Sequence, residues 1–483
     1  MTQAGDVGRG GVTGEVVGEQ QTPLYATILV WLEGLLRSQG YGRPLCKRLA
    51  VLVSGLVASD KATIGQISTS VKAQAVSAAT EESIARRLQR IAADARVDPA
   101  RLLAAVFGGP VLAQLLAAQV GAHAANAGSG VGHHRRFIGV RIVLDESSQD
   151  EHVHIVVAGL AVGGLVLPLA VRTWAQNAPL PQGEYWVQVS SLLQDVAAML
   201  PPDLRDHVLL VADRAYGVAR MLDVASALGW GWLLRVQGQI RVRLPDGTDC
   251  AVGALVPRRG TRWSGGLTAA DPDDIAAVDA PLAVFKGAGW RRSRVEAIWT
   301  ATQDAPWLLV TSLTGATDRL AAYAGRWAIE RLFLSWKSHG WDIEASGIHH
   351  PARLGRLLSG LAIATLWRLV IALPRAQALL ADLADRAARR DARPHQLPLP
   401  LPDTTPATTP RPWAAKFSLF TWGIKVARTV PLHTHTPARC WTLPLWDAPT
   451  WSQQCRRTYL HNPTSAHPPP QHLHLPFTHH SAA

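Results

Sequence analysis

Two short apolar runs that end in an aspartate predict the centre of the fold. FIGVRIVLD ends in Asp145, and HVLLVAD ends in Asp213. Continuous apolar, β-branched runs of this length are typical of strands that are buried on both faces. We therefore expect both aspartates at the ends of buried strands, at a sheet edge where ligands bind. Either aspartate taken alone could equally be a turn residue or a helix N-cap.

The chain around these runs alternates between strand and helix patterns. HVHIVVAGLAVGGLVLPLAV predicts two strands that turn at Gly163 and Gly164, and VQVSSLLQDVAAML predicts a helix that ends before Pro201. After the second aspartate, RAYGVARMLDVASALG predicts a helix that stops at Gly229, and WGWLLRVQG predicts a further strand. This order of elements indicates a mixed α/β sheet.

Four polar residues in YAGRWAIERLFLSWK follow a helical spacing. Tyr323, Arg326, Glu330 and Lys337 are separated by intervals of three, four and seven. At about 100° per residue, these intervals place the four side chains within roughly 60° of one helical face. An apolar face lies beside them and can be buried: Ile329, Leu332, Phe333 and Trp336. The alternative is an ordinary ion pair between Arg326 and Glu330 on a solvated helix.

The spacing Tyr-x2-Arg-x3-Glu-x6-Lys resembles the signature of the bacterial insertion-sequence transposases of family four, which belong to the DDE group. The resemblance implies an α/β fold with a ribonuclease-H-like mixed sheet flanked by helices. It implies that Glu330 is the third catalytic carboxylate beside the two aspartates. It further implies that Tyr323, Arg326 and Lys337 contact DNA.

One local departure concerns the turn after Asp213. The family usually has a variable residue, a glycine and an aromatic there, whereas this chain has Arg214, Ala215 and Tyr216. The aromatic residue is kept and the glycine is replaced by alanine. This difference affects the expected geometry of the turn more than the assignment of Asp213.

Three carboxylates in this order suit divalent metal ions. Mg²⁺ and Mn²⁺ prefer hard oxygen ligands, and two such ions about 4 Å apart can clamp the attacking and leaving oxygens of a phosphoryl displacement. The resemblance therefore implies that Asp145, Asp213 and Glu330 bind Mg²⁺ or Mn²⁺, as two ions. Water would cut a strand at the element end, and the freed 3′ hydroxyl would attack target DNA. Neither a protein nucleophile nor a small-molecule cofactor is expected.

The charge balance favours a polyanionic partner. The chain has 48 Lys and Arg against 36 Asp and Glu, a formal net charge of +12. Such a balance favours nucleic acid, although a ribosomal or membrane-surface protein could share it. The cysteines form no C-x-x-C pair, so neither a disulfide framework nor a zinc site is predicted. They are Cys46, Cys250, Cys440 and Cys455.

No secretion signal or membrane span is predicted. The residues before the first helical pattern are polar and Gly-rich, and the apolar run LLSGLAIATLWRLVIAL is interrupted by Arg368. We interpret that run as a core helix packed on the sheet. The expected location is the bacterial cytoplasm, in association with the nucleoid and without a membrane partner.

Composition divides the chain into regions. Residues 1–21 are predicted to be disordered, 22–130 to form a helical DNA-binding domain, and 131–376 to form the catalytic domain with a β-rich insertion at about 236–305. Residues 377–483 are predicted to be a short helix followed by a largely disordered tail. From residue 391 onward lie half of the 32 prolines and half of the 18 histidines.

Two regions supply candidate DNA contacts beyond the signature. In the helical domain, Thr80 is a predicted N-cap of a basic helix that could enter a major groove. The alternative is a solvated basic face. The β-rich insertion contains a second basic cluster, which suits backbone phosphates. The candidates are Arg86, Arg87, Arg90, Arg291, Arg292 and Arg294. The insertion also contains tryptophans that could stack on a flipped base or belong to the core: Trp263, Trp290 and Trp299.

The leading hypothesis is a DNA transposase that cleaves the ends of its insertion sequence and joins them to target DNA. Its partners would be the double-stranded terminal inverted repeats and target DNA. A homodimer is expected, because two ends must be cut in one complex. The alternatives are a stand-alone metal-dependent nuclease of the same core and a catalytically silent DNA-binding protein derived from a transposase.

Overall fold

The structure is a computed structural model that describes residues 24–391, apart from 75–78, 110, 114, 117–139, 163–164, 179, 265–279, 302, 314–318 and 339. The predictions made for residues 1–21, for the Pro/His-rich tail after residue 391 and for the turn at Gly163 and Gly164 lie outside the described residues. Of the cysteines, Cys46 and Cys250 are described, and both are free thiols.

Helices form the N-terminal region, as the sequence predicts. They are α1 (Leu24–Leu36), α2 (Arg43–Ala58), α3 (Ile64–Ala73), α4 (Glu81–Ala93) and α5 (Pro99–Phe107). Thr63 and Thr80 begin α3 and α4, because their hydroxyl oxygens accept hydrogen bonds from the backbone N–H groups of Gln66 and Ser83. The predicted N-cap at Thr80 is therefore confirmed.

Replacing Thr80 with Ala is expected to lower the free energy of unfolding by about 1 kcal/mol, because the N–H group of Ser83 loses its acceptor. Urea unfolding followed by circular dichroism measures this change. Thr80→Ser keeps the oxygen and should stay close to the wild type. An equal loss in both variants would contradict the capping explanation.

The described strands form one eleven-stranded mixed sheet. Its first half contains β1 (Val140–Gln149), β2 (Val153–Val162), β3 (Leu165–Ala175), β4 (Val208–Ala212) and β5 (Gly231–Arg235). Its second half contains β6 (Arg241–Arg243), β7 (Asp249–Ala251), β8 (Thr261–Ser264), β9 (Leu282–Val284), β10 (Arg291–Trp299) and β11 (Trp307–Thr311). The spatial order is β3-β2-β1-β4-β5-β11-β10-β9-β6-β7, and β8 pairs with β10.

The direction of the strands matches the fold that the sequence predicts. β1, β4 and β5 are parallel neighbours, whereas β2 and β3 continue the sheet in antiparallel pairs on one side and β11 pairs antiparallel with β5 on the other. All five residues of β4 are buried, as expected for a central strand covered on both faces. The predicted ribonuclease-H-like mixed sheet flanked by helices is confirmed.

Two of the remaining helices lie between strands in chain order, and the other three follow β11. They are α6 (Glu184–Met199), α7 (Ala219–Ala227), α8 (Arg319–Ala324), α9 (Trp327–Trp336) and α10 (Pro351–Asp391). The chain leaves α7 through Gly229, whose φ of +72° suits a residue without a Cβ. The strands predicted between residues 236 and 305 are present as β6 to β10, and they extend the central sheet beyond β11.

Helix α10 contains the apolar run that the sequence analysis assigned to the core. Its segment Pro351–Ile371 is long and apolar enough to cross a membrane, but 94% of the residues in its apolar stretch are buried inside the protein. Arg368 is fully buried there, where it donates hydrogen bonds to the carbonyl oxygens of Leu56 and Val57 at the end of α2. The segment is therefore a core helix. The helix runs without interruption across the predicted domain boundary between 376 and 377.

Candidate active site

Asp145 and Asp213 lie side by side at one edge of the sheet. Leu144 of β1 is in register with Ala212 of β4 in the last pair of the parallel ladder, and each aspartate is the next residue of its chain. Neighbouring strands are about 4.8 Å apart, so the two carboxylates extend from adjacent positions. The prediction that β1 ends at Asp145 is wrong, because β1 continues in antiparallel register with β2 as far as Gln149.

The turn after β4 holds Asp213 through local hydrogen bonds and close packing. Its Oδ1 accepts a hydrogen bond of 2.9 Å from the N–H group of Ala215. A Cβ at Gly217 would lie 2.0 Å from the carbonyl oxygen of Arg235 on β5, so the chain can approach β5 there only with glycine. The approach of this turn to β5 thus requires glycine at position 217.

The predicted single helix with four aligned polar residues is wrong. The chain breaks between α8 and α9 at Gly325, so Tyr323 and Glu330 belong to different helices, and Arg326 is the N-cap of α9. Lys337 follows the last residue of α9 and has a non-helical ψ of −92°. Its Nζ lies 3.5 Å from Oε1 of Glu344. The structure therefore groups Tyr323, Arg326 and Glu330 with the aspartates, whereas Lys337 pairs elsewhere.

Arg326 connects two of the three predicted catalytic carboxylates. Its Nη1 donates a hydrogen bond of 2.7 Å to Oδ2 of Asp145, and its Nη2 donates one of 2.6 Å to Oε1 of Glu330. Only 8% of the Arg326 side chain is exposed, compared with 42% for Glu330. The buried ring of Tyr323 lies beside the guanidinium, 5.9 Å away. Hydrogen bonds between charged groups in such a site are strong and directional.

The three carboxylates share one electrostatic site. Burial raises the pKa of Asp145 to about 7; the positive charge of Arg326 opposes this shift, and the negative charges of Asp213 and Glu330 add to it. At neutral pH the Asp145 carboxyl is therefore close to the midpoint of its titration. A bound cation would favour its ionised form, so cation binding and release of this proton are coupled.

The donor set fits a hard divalent cation, although the carboxylates are not arranged around one point. Among the described residues, no three His, Cys, Asp or Glu side chains converge closely enough to hold a metal ion. The aspartates are adjacent, and Glu330 turns toward a guanidinium, which is itself a cation. A cavity of about 480 Å³ opens beside Asp145 and Asp213. Oxygen ligands beside an open cavity are suited to Mg²⁺ or Mn²⁺.

Sequence reasoning missed Glu146, the residue after Asp145. Its Oε2 accepts hydrogen bonds from the hydroxyl groups of Tyr185 (2.7 Å) and Tyr216 (3.2 Å), and it lies 3.1 Å from Nε2 of His154. Burial raises the pKa of Glu146, but the hydrogen bonds from these neighbours outweigh burial and lower the pKa overall. The sequence shows a polar residue next to Asp145. It does not indicate that side chains from distant parts of the chain form hydrogen bonds with this residue.

The predicted DNA contacts on α4 are surface residues. Arg86, Arg87 and Arg90 are all exposed. Nη2 of Arg86 pairs with Oε1 of Glu82 at 2.6 Å, one helical turn earlier. The predicted basic helix is present, and its contact with DNA stays a prediction.

The predicted basic cluster on β10 is less uniform than the sequence suggests. Arg291 forms a forked pair with Asp223 at 2.6 and 3.0 Å, and Nη1 of Arg294 donates to the carbonyl oxygen of Ser312. Arg292 is exposed, and its Nη2 lies 3.5 Å from the carbonyl oxygen of Pro281. The three side chains thus have different surroundings, and their contact with phosphate stays a prediction.

The candidate stacking residues of the insertion are partly buried. The guanidinium of Arg243 lies 4.5 Å from the ring centre of Trp290, and Nε1 of Trp299 donates to the carbonyl oxygen of Gln303. Trp263 is on β8, opposite Ala297 of β10. Trp263 and Trp299 pack against the hydrophobic core, and base stacking stays a prediction for all three rings.

Part of the chain is similar to a known protein family. No curated protein matches the chain. Residues 187–367 match the model of the family described as the transposase DDE domain, a range that includes Asp213 and Glu330 and begins after Asp145. This partial match supports a transposase of the DDE type.

Proposed function

We propose that this protein is an insertion-sequence transposase of family four, which cleaves the ends of its element and joins them to target DNA. The observation that carries the proposal is the in-register placement of Asp145 and Asp213, with Arg326 linking Asp145 to Glu330. The match to the transposase DDE domain supports the same reaction class. The Tyr-Arg-Glu-Lys spacing supports the subfamily.

Asp145, Asp213 and Glu330 are the residues that would hold Mg²⁺ or Mn²⁺ in this proposal. When bound, a pair of such ions would stabilise charge on the attacking and leaving oxygens of the phosphodiester. Asp145 lies on β1 and Asp213 directly follows β4, so the pairing of these two strands places the two carboxylates side by side. Glu330 lies on α9, and it would have to release Arg326 in order to hold the cation. Asp145, whose pKa is raised to about 7, would hold a cation in its ionised form, and its proton would pass to solvent.

DNA would be held by residues on both sides of this site. Arg326 and Tyr323 lie beside the carboxylates, where a guanidinium can fork onto phosphate oxygens and a phenol can donate a hydrogen bond. Lys337 would reach the backbone as a point charge after leaving Glu344. The exposed arginines of α4 would contact the terminal inverted repeats, and Arg292 would contact backbone phosphate. Two copies of the chain would act together, in the cytoplasm.

A strand-transfer assay tests the proposal. A labelled duplex that carries the inverted repeat flanking the gene would be incubated with the full chain, a target plasmid and Mg²⁺ or Mn²⁺. We expect nicking at the element end followed by joining to the target, and neither reaction in EDTA. Cleavage without joining would indicate a stand-alone nuclease. Binding without cleavage would indicate a silent DNA-binding protein, and either result would overturn the proposal.

A further inference from the structure

Side chains from three parts of the fold meet at one oxygen of Glu146. Tyr185 at the start of α6 and Tyr216 in the turn after Asp213 both donate hydrogen bonds to Oε2, and Nε2 of His154 on β2 lies within hydrogen-bonding distance. A carboxylate is an acceptor that can serve several donors at once. Glu146 therefore fastens β2, α6 and the turn of Asp213 to the strand that carries Asp145.

Aromatic contacts keep these donors in place. The ring of His154 stacks on Trp174 of β3 at 4.6 Å, and Trp174 meets Tyr185 edge to face at 5.7 Å. Tyr216 is completely buried, and its hydroxyl group lies between Glu146 and the hydroxyl group of Tyr185. A satisfied network of this kind in a region of low polarity is rigid.

The link through Tyr216 concerns Asp213 directly. Tyr216 is the third residue after Asp213, and its N–H group contacts the carbonyl oxygen of Asp213 at 3.3 Å. The far side of the same turn is fixed by the close approach of Gly217 to β5. The hydrogen bond from Tyr216 to Glu146 fixes the near side against β1, beside Asp145. The turn is thus held between two strands.

We propose that Glu146 is a positioning residue that acts through Tyr216 to set the separation of Asp145 and Asp213. The proposal rests on the proposed function, since it concerns the same pair of carboxylates. Glu146 also borders the cavity beside the aspartates. A role as a metal ligand in its own right is therefore the alternative that the experiment must distinguish.

Mn²⁺ binding to the full chain without DNA tests this role, with electron paramagnetic resonance to count free ions. Residues that orient metal ligands typically change metal affinity by about 10- to 100-fold when they are lost. We expect this loss for Glu146→Ala and about a tenfold loss for Tyr216→Phe. Glu146→Gln should restore affinity to within about threefold, because its amide oxygen can accept from Tyr216. Tyr41→Phe is the matched control, because it removes a buried tyrosine hydroxyl group in the N-terminal helical region, and its affinity for Mn²⁺ should equal that of the wild type.

Several results would overturn the inference. An equal loss in Glu146→Ala and Glu146→Gln would show that the charge itself binds the ion. Unchanged affinity in Tyr216→Phe would show that the hydrogen bond does not position Asp213, even if thermal unfolding in EDTA reveals lower stability. Tyr216→Phe retains the ring and its packing, so it provides an answer if Glu146→Ala does not fold.

The variant Asp213→Asn distinguishes a wrong role for Glu146 from a wrong proposed function. If wild-type protein binds Mn²⁺ and Asp213→Asn does not, while the Glu146 and Tyr216 variants bind normally, only the inference fails. If Asp213→Asn binds Mn²⁺ as well as the wild type, the metal site is elsewhere and both proposals fail.

Discussion

Replacing Glu330 with Gln is expected to reduce strand cleavage and joining by about a thousandfold or more, while binding of the element end stays within a few-fold of the wild type. Glutamine keeps the shape of the side chain but removes the charge that would hold a cation. Metal ions supply several kcal/mol of transition-state stabilisation, and each 1.36 kcal/mol corresponds to a factor of ten in rate. The strand-transfer assay measures the rate, and a gel-shift assay measures binding.

The matched control for this variant is Glu33→Gln. Glu33 on α1 forms an exposed ion pair with Arg43 at 3.0 Å, away from the carboxylate group. The same chemical change there should leave cleavage and joining unaltered, because exposed pairs contribute little to stability. Full activity of Glu330→Gln would show that the third carboxylate is a different residue. Loss of DNA binding together with activity would show that Glu330 supports the fold instead.

The sequence predicted those parts of the site that depend on local pattern. The buried runs before Asp145 and Asp213 form parallel neighbours, so the two aspartates come together as expected. The N-cap at Thr80 and the stop at Gly229 are also local, since each depends on one residue and its neighbours. The hydropathy of the run around Arg368 predicts that it is buried. It does not predict that Arg368 donates hydrogen bonds to carbonyl oxygens at the end of α2.

Other parts of the site depend on contacts between distant segments. β1 continues past Asp145 through polar residues, because its backbone pairs with β2 whatever the side chains are. Periodicity alone predicts one helix across Gly325, but the structure has a break there. Lys337 therefore lies outside the group formed by Tyr323, Arg326 and Glu330. The partners of Glu146 lie 8, 39 and 70 residues away along the chain. No spacing rule connects residues at those separations.

The second large effect is expected for Arg326→Met in the metal-free protein. This change removes the guanidinium that pairs with Asp145 and Glu330, while it keeps much of the buried volume. Breaking a buried ion pair typically costs about 3–5 kcal/mol, and we expect about 3 kcal/mol at pH 8, because Asp145 can take up a proton instead of staying charged. Urea unfolding in EDTA measures the change.

The free energy of unfolding that is lost in Arg326→Met should be smaller at low pH than at high pH. The folded-state pKa of Asp145, about 7, lies above that of an unfolded aspartate, so its contribution to stability is present at low pH and is lost as pH rises through about 7. Without Arg326 this pKa rises further. The difference in stability between variant and wild type should therefore narrow by about 1 kcal/mol from pH 8 to pH 6, since one pH unit corresponds to about 1.4 kcal/mol. A difference that widens toward low pH would contradict this assignment.

Lys337→Ala is the matched control for Arg326→Met, because it removes a cation from the other end of α9. The pair of Lys337 with Glu344 is partly exposed and 3.5 Å long, so its loss should cost less than about 1 kcal/mol.

Saturating Mn²⁺ should raise the unfolding temperature of Arg326→Met more than that of the wild type, because the guanidinium no longer occupies the oxygens of Asp145 and Glu330. General disruption of the site would reduce the response to Mn²⁺, so a smaller response than that of the wild type would contradict this prediction.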